Sequence, residues 1–297
     1  MTENNSNEEL DTEPHVEKYI VAYVDILGYK DYLKKHPQSA NEFLKKIKGT
    51  VEKFKEKAEQ MGYNRAQKIE IKIFSDNFIM CKKLEILEGP FYESLAMIEF
   101  INELADFQLM ILWEYKLLTR GAITVGELYI DSDFVFGPAL IEAYELESKI
   151  AKCPRIIISD ESIIEIKKLI PYHLLPAAID PDYIFPTDAD GKRYLNYFRV
   201  EDSKPYLNFE EFSNGPSEGF IQLTVYIEDM RPVIKELVDN FNTDTQYYSV
   251  EDNKHIIKKY KWLISKYNEA CEVINREDLK INYHISNLLG IEFIKID

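Results

Sequence analysis

An α+β sandwich is the fold class the sequence predicts, on three observations. Strand-like apolar segments lie at Tyr19–Ile26, Ile69–Phe74 and Phe78–Lys82. A long Lys/Glu-rich helical stretch separates the first two, and only the turn Ser75-Asp76-Asn77 separates the last two. A second long helical stretch, Glu93–Leu118, precedes more strand-like sequence. Two crossovers flanking an antiparallel hairpin describe a ferredoxin-like, palm-type sheet with helices packed on it.

Each element has a local reason. Tyr19–Ile26 is apolar and rich in β-branched and aromatic residues, as in a strand buried on both faces. From Tyr29 to about Gly62 the pattern is helical, and Pro37 splits it because proline cannot continue a helix. Ile69, Ile71 and Ile73 alternate with Glu70, Lys72 and Phe74, a period of two, and the Ser-Asp-Asn turn returns the chain. "LLTRGAITVGELYI" predicts a strand, a glycine-marked bend and a second strand. "GPALIEAYELESKIA" predicts a helix with Pro138 in its first turn, and "PRIIIS" a short buried strand. Ser159 or Asp160 can cap the helix that follows. "KRYLNYFRV" predicts a late strand, and Gln222–Phe241 and Asp252–Ile281 predict amphipathic helices. The expected organisation is a disordered acidic tail at 1–17, a domain at 18–205 and a mainly helical region at 206–297.

Composition excludes several function classes. A net charge of −16 over 297 residues opposes nonspecific nucleic-acid binding and anionic membrane surfaces, which select Lys and Arg. Cys81, Cys153 and Cys271 form no CxxC pair, so neither a disulfide framework nor a zinc site is expected. A polar, acidic start and the lack of any run of about 18 apolar residues fit a cytoplasmic protein that meets no membrane. The five histidines have no metal or triad spacing.

The segment "VAYVDILGYKDYL" then becomes informative. Asp25 ends the first strand, and Asp76 sits in the turn after the second, so this topology brings both carboxylates to one edge of the sheet. Hard oxygen ligands suit Mg²⁺ or Mn²⁺, and two carboxylates bridging two such ions form a clamp for in-line attack at phosphorus. The amides after Asp25 open a helix, and Gly28 permits close approach, which suits a polyphosphate. Taken alone, either Asp is also compatible with capping a turn.

These residues also carry a resemblance. "AYVDILGYKDYL", "KIFSDN", "RGAITVGELY", "FGPALIEAYELESKIA" and "PRIIIS", over residues 18 to 165, resemble the class III nucleotide cyclase domain, with a C-terminal helical extension beyond it. The resemblance implies metal ligation by Asp25, Asp76 and the Ile26 carbonyl, and a substrate-site wall at Tyr23. It implies two Mn²⁺ or Mg²⁺ ions per site, a nucleoside triphosphate substrate and a homodimer with sites shared between subunits. The wording "SDN", "RGAI", "FGPAL", "AYELES" and "PRI" is closer to the pyrimidine cyclases of the Pycsar anti-phage system. That implies UTP to cyclic UMP ahead of CTP to cyclic CMP, with the product activating a separate cyclic-nucleotide-gated effector.

The sequence departs from the family at two points. Ile141 and Glu145 stand where the family carries its transition-state Asn and Arg, so Arg120, with Lys149 and Arg155 behind it, becomes the candidate replacement cation. Lys72 stands at the base-reading position, a residue usual in adenylate cyclases, while its partner position holds Phe134, which cannot accept a hydrogen bond from adenine. An adenylate cyclase and a catalytically inactive nucleotide-binding or interaction module are therefore the alternatives.

Overall fold

The computed structural model describes residues 15–29, 33, 37–42, 44–45, 47–49, 51–52, 69–84, 90–169, 181–198, 217–245, 248–288 and 291–297. Residues 1–14 of the tail expected at 1–17, much of the helical stretch expected from Tyr29 to about Gly62, and 206–216 of the expected C-terminal region lie outside these residues. Strand β1 (Glu17–Leu27) begins at the last residue assigned to that tail.

The remaining elements of the sheet follow in chain order. They are β2 (Glu70–Phe74), β3 (Asn77–Lys83), helix α1 (Pro90–Tyr115), β4 (Leu118–Ile130), β5 (Val135–Phe136), α2 (Pro138–Lys149) and β6 (Ile156–Ile158). Between β1 and β2, the described residues at 40–42, 44–45, 47–49 and 51–52 are helical, after a 3-10 turn at Pro37–Ser39. The sheet order is β2-β3-β1-β4-β5, with β6 beside β4. The neighbours β2, β3, β1 and β4 are all antiparallel, whereas β6 runs parallel to β4. This is the ferredoxin-like α+β order that the sequence predicts.

Alternation along β1 divides the sheet into two faces. Ile20, Ala22, Val24 and Ile26 join Phe78 and Met80 in the main core, against Phe100, Ile101 and Leu104 of α1. Burying such a side chain stabilises by about 1.5–3 kcal/mol, so this face dominates the sheet's stability. Tyr19 and Val21 pack on the other face with Cys81, Leu128 and Ala139 under α2.

Strand β4 corrects the expected bend, because its 13 residues run without interruption. Its glycines serve close approach instead. A Cβ on Gly121 would stand 2.5 Å from the Tyr23 carbonyl oxygen, and one on Gly126 would meet the Ala139 Cβ at 3.4 Å. The predicted late strand is also corrected: Tyr194 and Arg193 make only isolated bridges, to Ile157 and Thr187. Ser159 does cap helix α3 (Asp160–Leu169), its Oγ accepting from the Ser162 amide at 3.1 Å.

Beyond the short helix α4 (Pro181–Ile184), the C-terminal part comprises α5 (Ser217–Asp244), α6 (Val250–Val273) and a hairpin of β7 (Tyr283–Leu288) and β8 (Ile291–Ile296). The hairpin is absent from the sequence reading, and the second predicted helix ends early, at Val273, just before Asn275 takes a left-handed φ of 56°. Ile234, Leu237, Phe241 and Leu263 of α5 and α6 belong to the same core as β1 and α1. Arg155, 2% exposed, pairs with both Asp188 and Asp190, and Trp262 of α6 donates to Asp188 at 2.6 Å. Among the described residues no helix is long and apolar enough to cross a membrane.

Candidate active site

The register of the sheet assembles the site. On the face that α2 partly covers, Phe74, Asn77, Asp25 and Arg120 form one cross-strand row. Lys72, Ile79, Tyr23 and Ala122 form the next row inward. Six residues picked from distant parts of the sequence therefore share one surface: Tyr23, Asp25, Lys72, Asn77, Ile79 and Arg120. The turn bearing Asp76 is tied to the end of β1, because the Ile26 amide donates to the Asp76 carbonyl at 3.0 Å. Gly28, just beyond, has φ +82° with open space around it, so the left-handed conformation is what calls for glycine there.

Arg120 is at the centre of the charges. Its Nε lies 3.2 Å from Asp25 Oδ2 and 2.5 Å from Glu147 Oε1. Glu147 is only 3% exposed and was missed by the sequence reading. Ala139, Ala143 and Glu147 recur at four-residue intervals in the sequence, but only their burial in α2 shows that this stripe faces the sheet. A carboxylate on a stripe otherwise made of methyl groups costs free energy unless a cation meets it.

Burial pushes the Asp25 carboxyl up to about 6, Arg120 opposes the rise, and the charges of Glu147 and Asp76 add to it. Burial also raises Glu147, with Arg120 again opposing. Tyr23 is pushed up to about 12 by burial and by the neighbouring carboxylates, so it stays a neutral donor, and its ring meets Tyr144 edge-on at 5.5 Å. Two carboxylates thus face one guanidinium and the Asp76 charge acts on both of them, a surplus of negative charge that a divalent cation would offset.

No group of three His, Cys, Asp or Glu among the described residues is arranged to hold a metal ion. The pair Asp25 and Asp76 with the Ile26 carbonyl fits a different donor set. Mg²⁺ and Mn²⁺ commonly take one or two carboxylates and complete their shell with water and substrate phosphate. The residues present fit an ion of that kind, arriving with a polyphosphate.

The other sequence candidates are placed as follows. Lys72 Nζ donates to the Ser132 carbonyl at 2.8 Å, in the exposed loop that also holds Phe134. Ile141 and Glu145 point to solvent on α2, and Lys149 is occupied by Glu145 at 2.9 Å. Arg155 is removed from the candidates because its guanidinium is committed to Asp188 and Asp190. Of the three cations considered, Arg120 alone reaches the carboxylate pair's edge of the sheet.

No protein-family model and no curated protein matches the chain. Solved structures similar to it include the adenylyl cyclase CyaB from P. aeruginosa, at 17% identity over 66% of this chain and 100% of that one, with a TM-score of 0.42. The catalytic core of a rhodopsin-guanylyl cyclase with converted specificity, in complex with ATPalphaS, is similar at 17% identity over 52% and 82%, with a TM-score of 0.39. A bacterial light-regulated adenylyl cyclase is similar at 15% identity over 73% and 58%, also with a TM-score of 0.39. What this chain does has to be argued from its own side chains.

Proposed function

We propose that the protein is a nucleotide cyclase, converting a nucleoside triphosphate to a 3′,5′-cyclic monophosphate and pyrophosphate. The observation that carries this reading is the meeting of the Asp25 and Asp76 segments at one sheet edge, with Arg120 in register opposite Asp25. Asp25, Asp76 and the Ile26 carbonyl would hold two Mn²⁺ or Mg²⁺ ions, which lower the pKa of the ribose 3′-hydroxyl and bind phosphate oxygens. The chain supplies the rest. Tyr23 walls the nucleotide, Gly28 lets the backbone approach the polyphosphate, and Arg120 offsets charge on the phosphates as pyrophosphate leaves.

The favoured substrate is UTP, ahead of CTP. Lys72 lies in the same cross-strand row as Tyr23 and offers a donor to a base carbonyl, while the Phe134 side chain offers no acceptor to adenine. The product would act as a diffusible second messenger in anti-phage defence, reaching a cyclic-nucleotide-gated effector without direct contact. The assembly is a homodimer. Phe74 is 78% exposed, and Phe134, Phe136, Ile141 and Tyr144 are exposed as well, an apolar surface beside the site that a second copy would cover.

The test is incubation of the protein with ATP, GTP, CTP and UTP separately plus Mn²⁺, with mass spectrometry of the products. Cyclic UMP is expected. Cyclic AMP would make Lys72 an adenine reader and remove the pyrimidine assignment, and no product from any triphosphate would favour an inactive binding module. Asp76→Asn should lower turnover at least about a hundredfold, because it removes an anionic ligand at the reacting phosphate. Circular dichroism should stay unchanged, and undiminished turnover would take Asp76 out of the metal role. Phe74→Asp should give a monomer in sedimentation equilibrium and little turnover; a dimeric, active variant would place the interface elsewhere.

A further inference from the structure

We infer that Glu147 is a positioning residue: it pairs with Arg120 at Nε and keeps an unused acceptor beside that N–H, so that the guanidinium can release Asp25 when a divalent ion arrives. This rests on the cyclase reading above and assigns a task to a residue outside the expected catalytic set.

Three features of the geometry carry it. First, one N–H faces two acceptors, with Glu147 Oε1 at 2.5 Å and Asp25 Oδ2 at 3.2 Å. The proton is aimed at Asp25, which accepts it, while Glu147 Oε1, buried and with no hydrogen bond of its own among the described residues, waits beside the same nitrogen as an ion-pair partner. Second, Glu147 stands on a firmly seated helix. Thr124 Oγ1 donates to the Ala139 carbonyl at 2.8 Å, and Gly126 leaves room for Ala139 to lie on the sheet. Third, no described residue bonds Arg120 Nη1 or Nη2. Holding Arg120 by Nε leaves the two terminal NH₂ groups for phosphate oxygens, the bidentate geometry at which arginine excels.

The arrangement solves a problem the site creates. Without Glu147, Arg120 would have Asp25 as its only carboxylate and would compete with the ion for it. With Glu147, the Nε–H turns from Asp25 to the waiting Glu147 oxygen, and the guanidinium remains beside the substrate. Arg120 then serves as a stand-in cation before the ion binds and as a phosphate clamp afterwards.

The experiment is a double-mutant cycle on metal affinity, read without nucleotide. Free Mn²⁺ is followed by electron paramagnetic resonance during titration of the wild type, Glu147→Gln, Arg120→Gln and the double variant. Losing the charged acceptor should raise the Mn²⁺ dissociation constant about tenfold in the wild-type background and less than about twofold in the Arg120→Gln background. An equal loss in both backgrounds would mean that Glu147 acts on the ion itself, and would overturn the inference while leaving the cyclase reading intact. A wild type that binds no Mn²⁺ would bring down both.

A second measurement does not depend on Arg120→Gln folding. The Arg120 ¹⁵Nε–H resonance, assigned by its absence in Arg120→Lys, should persist in the wild type at saturating Mg²⁺. It should disappear by solvent exchange in Glu147→Gln. Disappearance in the wild type on adding Mg²⁺ would show that Glu147 does not hold the guanidinium, and the inference would fall.

Discussion

Asp25 holds a charge that the folded chain resists. Its carboxyl rises from 3.8 to about 6, so between those pH values the folded protein binds more protons than the unfolded one. Stability from this group is therefore greatest at low pH, falls as pH rises through that window, and stays low above it. The shift sets a ceiling of about 3 kcal/mol, and Asp25→Asn also gives up the contact with Arg120, so a gain of about 1–2 kcal/mol at pH 8 is expected. Urea denaturation in EDTA should show that gain at pH 8 and little change at pH 4; an equal change at both would sink the argument. At this scale the sequence was half legible. Asp25 and Asp76 stood out because the predicted topology carries both to one edge of the sheet, although either alone would pass for a turn residue. Glu147 did not, because its meaning depends on which face of α2 lies on the sheet, and that emerges only from the packing of Ala139 and Ala143.

At the scale of elements, the hairpin of β2 and β3 was legible because period-two alternation and turn chemistry agree within a dozen residues. The long strand β4 was misread. Gly121 and Gly126 resemble bend signals in one dimension, but their reason is contact with β1 and α2, which no local pattern encodes. Gly121→Ala tests this reason. The new Cβ would press on the Tyr23 backbone, which cannot turn aside as a side chain would, so a loss of about 2 kcal/mol or more in urea denaturation is expected. A neutral substitution would show that β1 and β4 separate readily. The C-terminal hairpin went unread for a related reason. Tyr283–Leu288 is half exposed and lacks clean alternation, and its pairing with Ile291–Ile296 is what makes it a strand.

Across the whole molecule, the main core runs without a break from β1 through α1 to α5 and α6. The Arg155 cluster reinforces that union. Besides Asp188 and Asp190, it includes Lys266, whose Nζ lies 3.5 Å from Asp188 and 5.3 Å from the centre of the Tyr194 ring. Arg155→Met should cost about 3–5 kcal/mol, since it leaves buried carboxylate without its main cation. Hydrogen exchange should show α6 amides losing protection first; unchanged exchange in α6 would confine the cluster's effect to its own loop. The cluster also touches the site's framework, because the Arg155 carbonyl accepts from the Gly121 amide at 3.1 Å, one residue from Arg120. The consequence is evolutionary. A sheet whose strands borrow an indole and an ammonium from residues 262 and 266 is not a portable cassette. Recombination that joined residues 18–205 to a foreign regulatory domain would sever the chain between the arginine and the Trp262 and Lys266 side chains that hold its partner Asp188. Lineages carrying this arrangement should therefore diversify by altering the loop at residues 131–134 and the exposed face of α2, and should seldom trade the sheet as a separate unit.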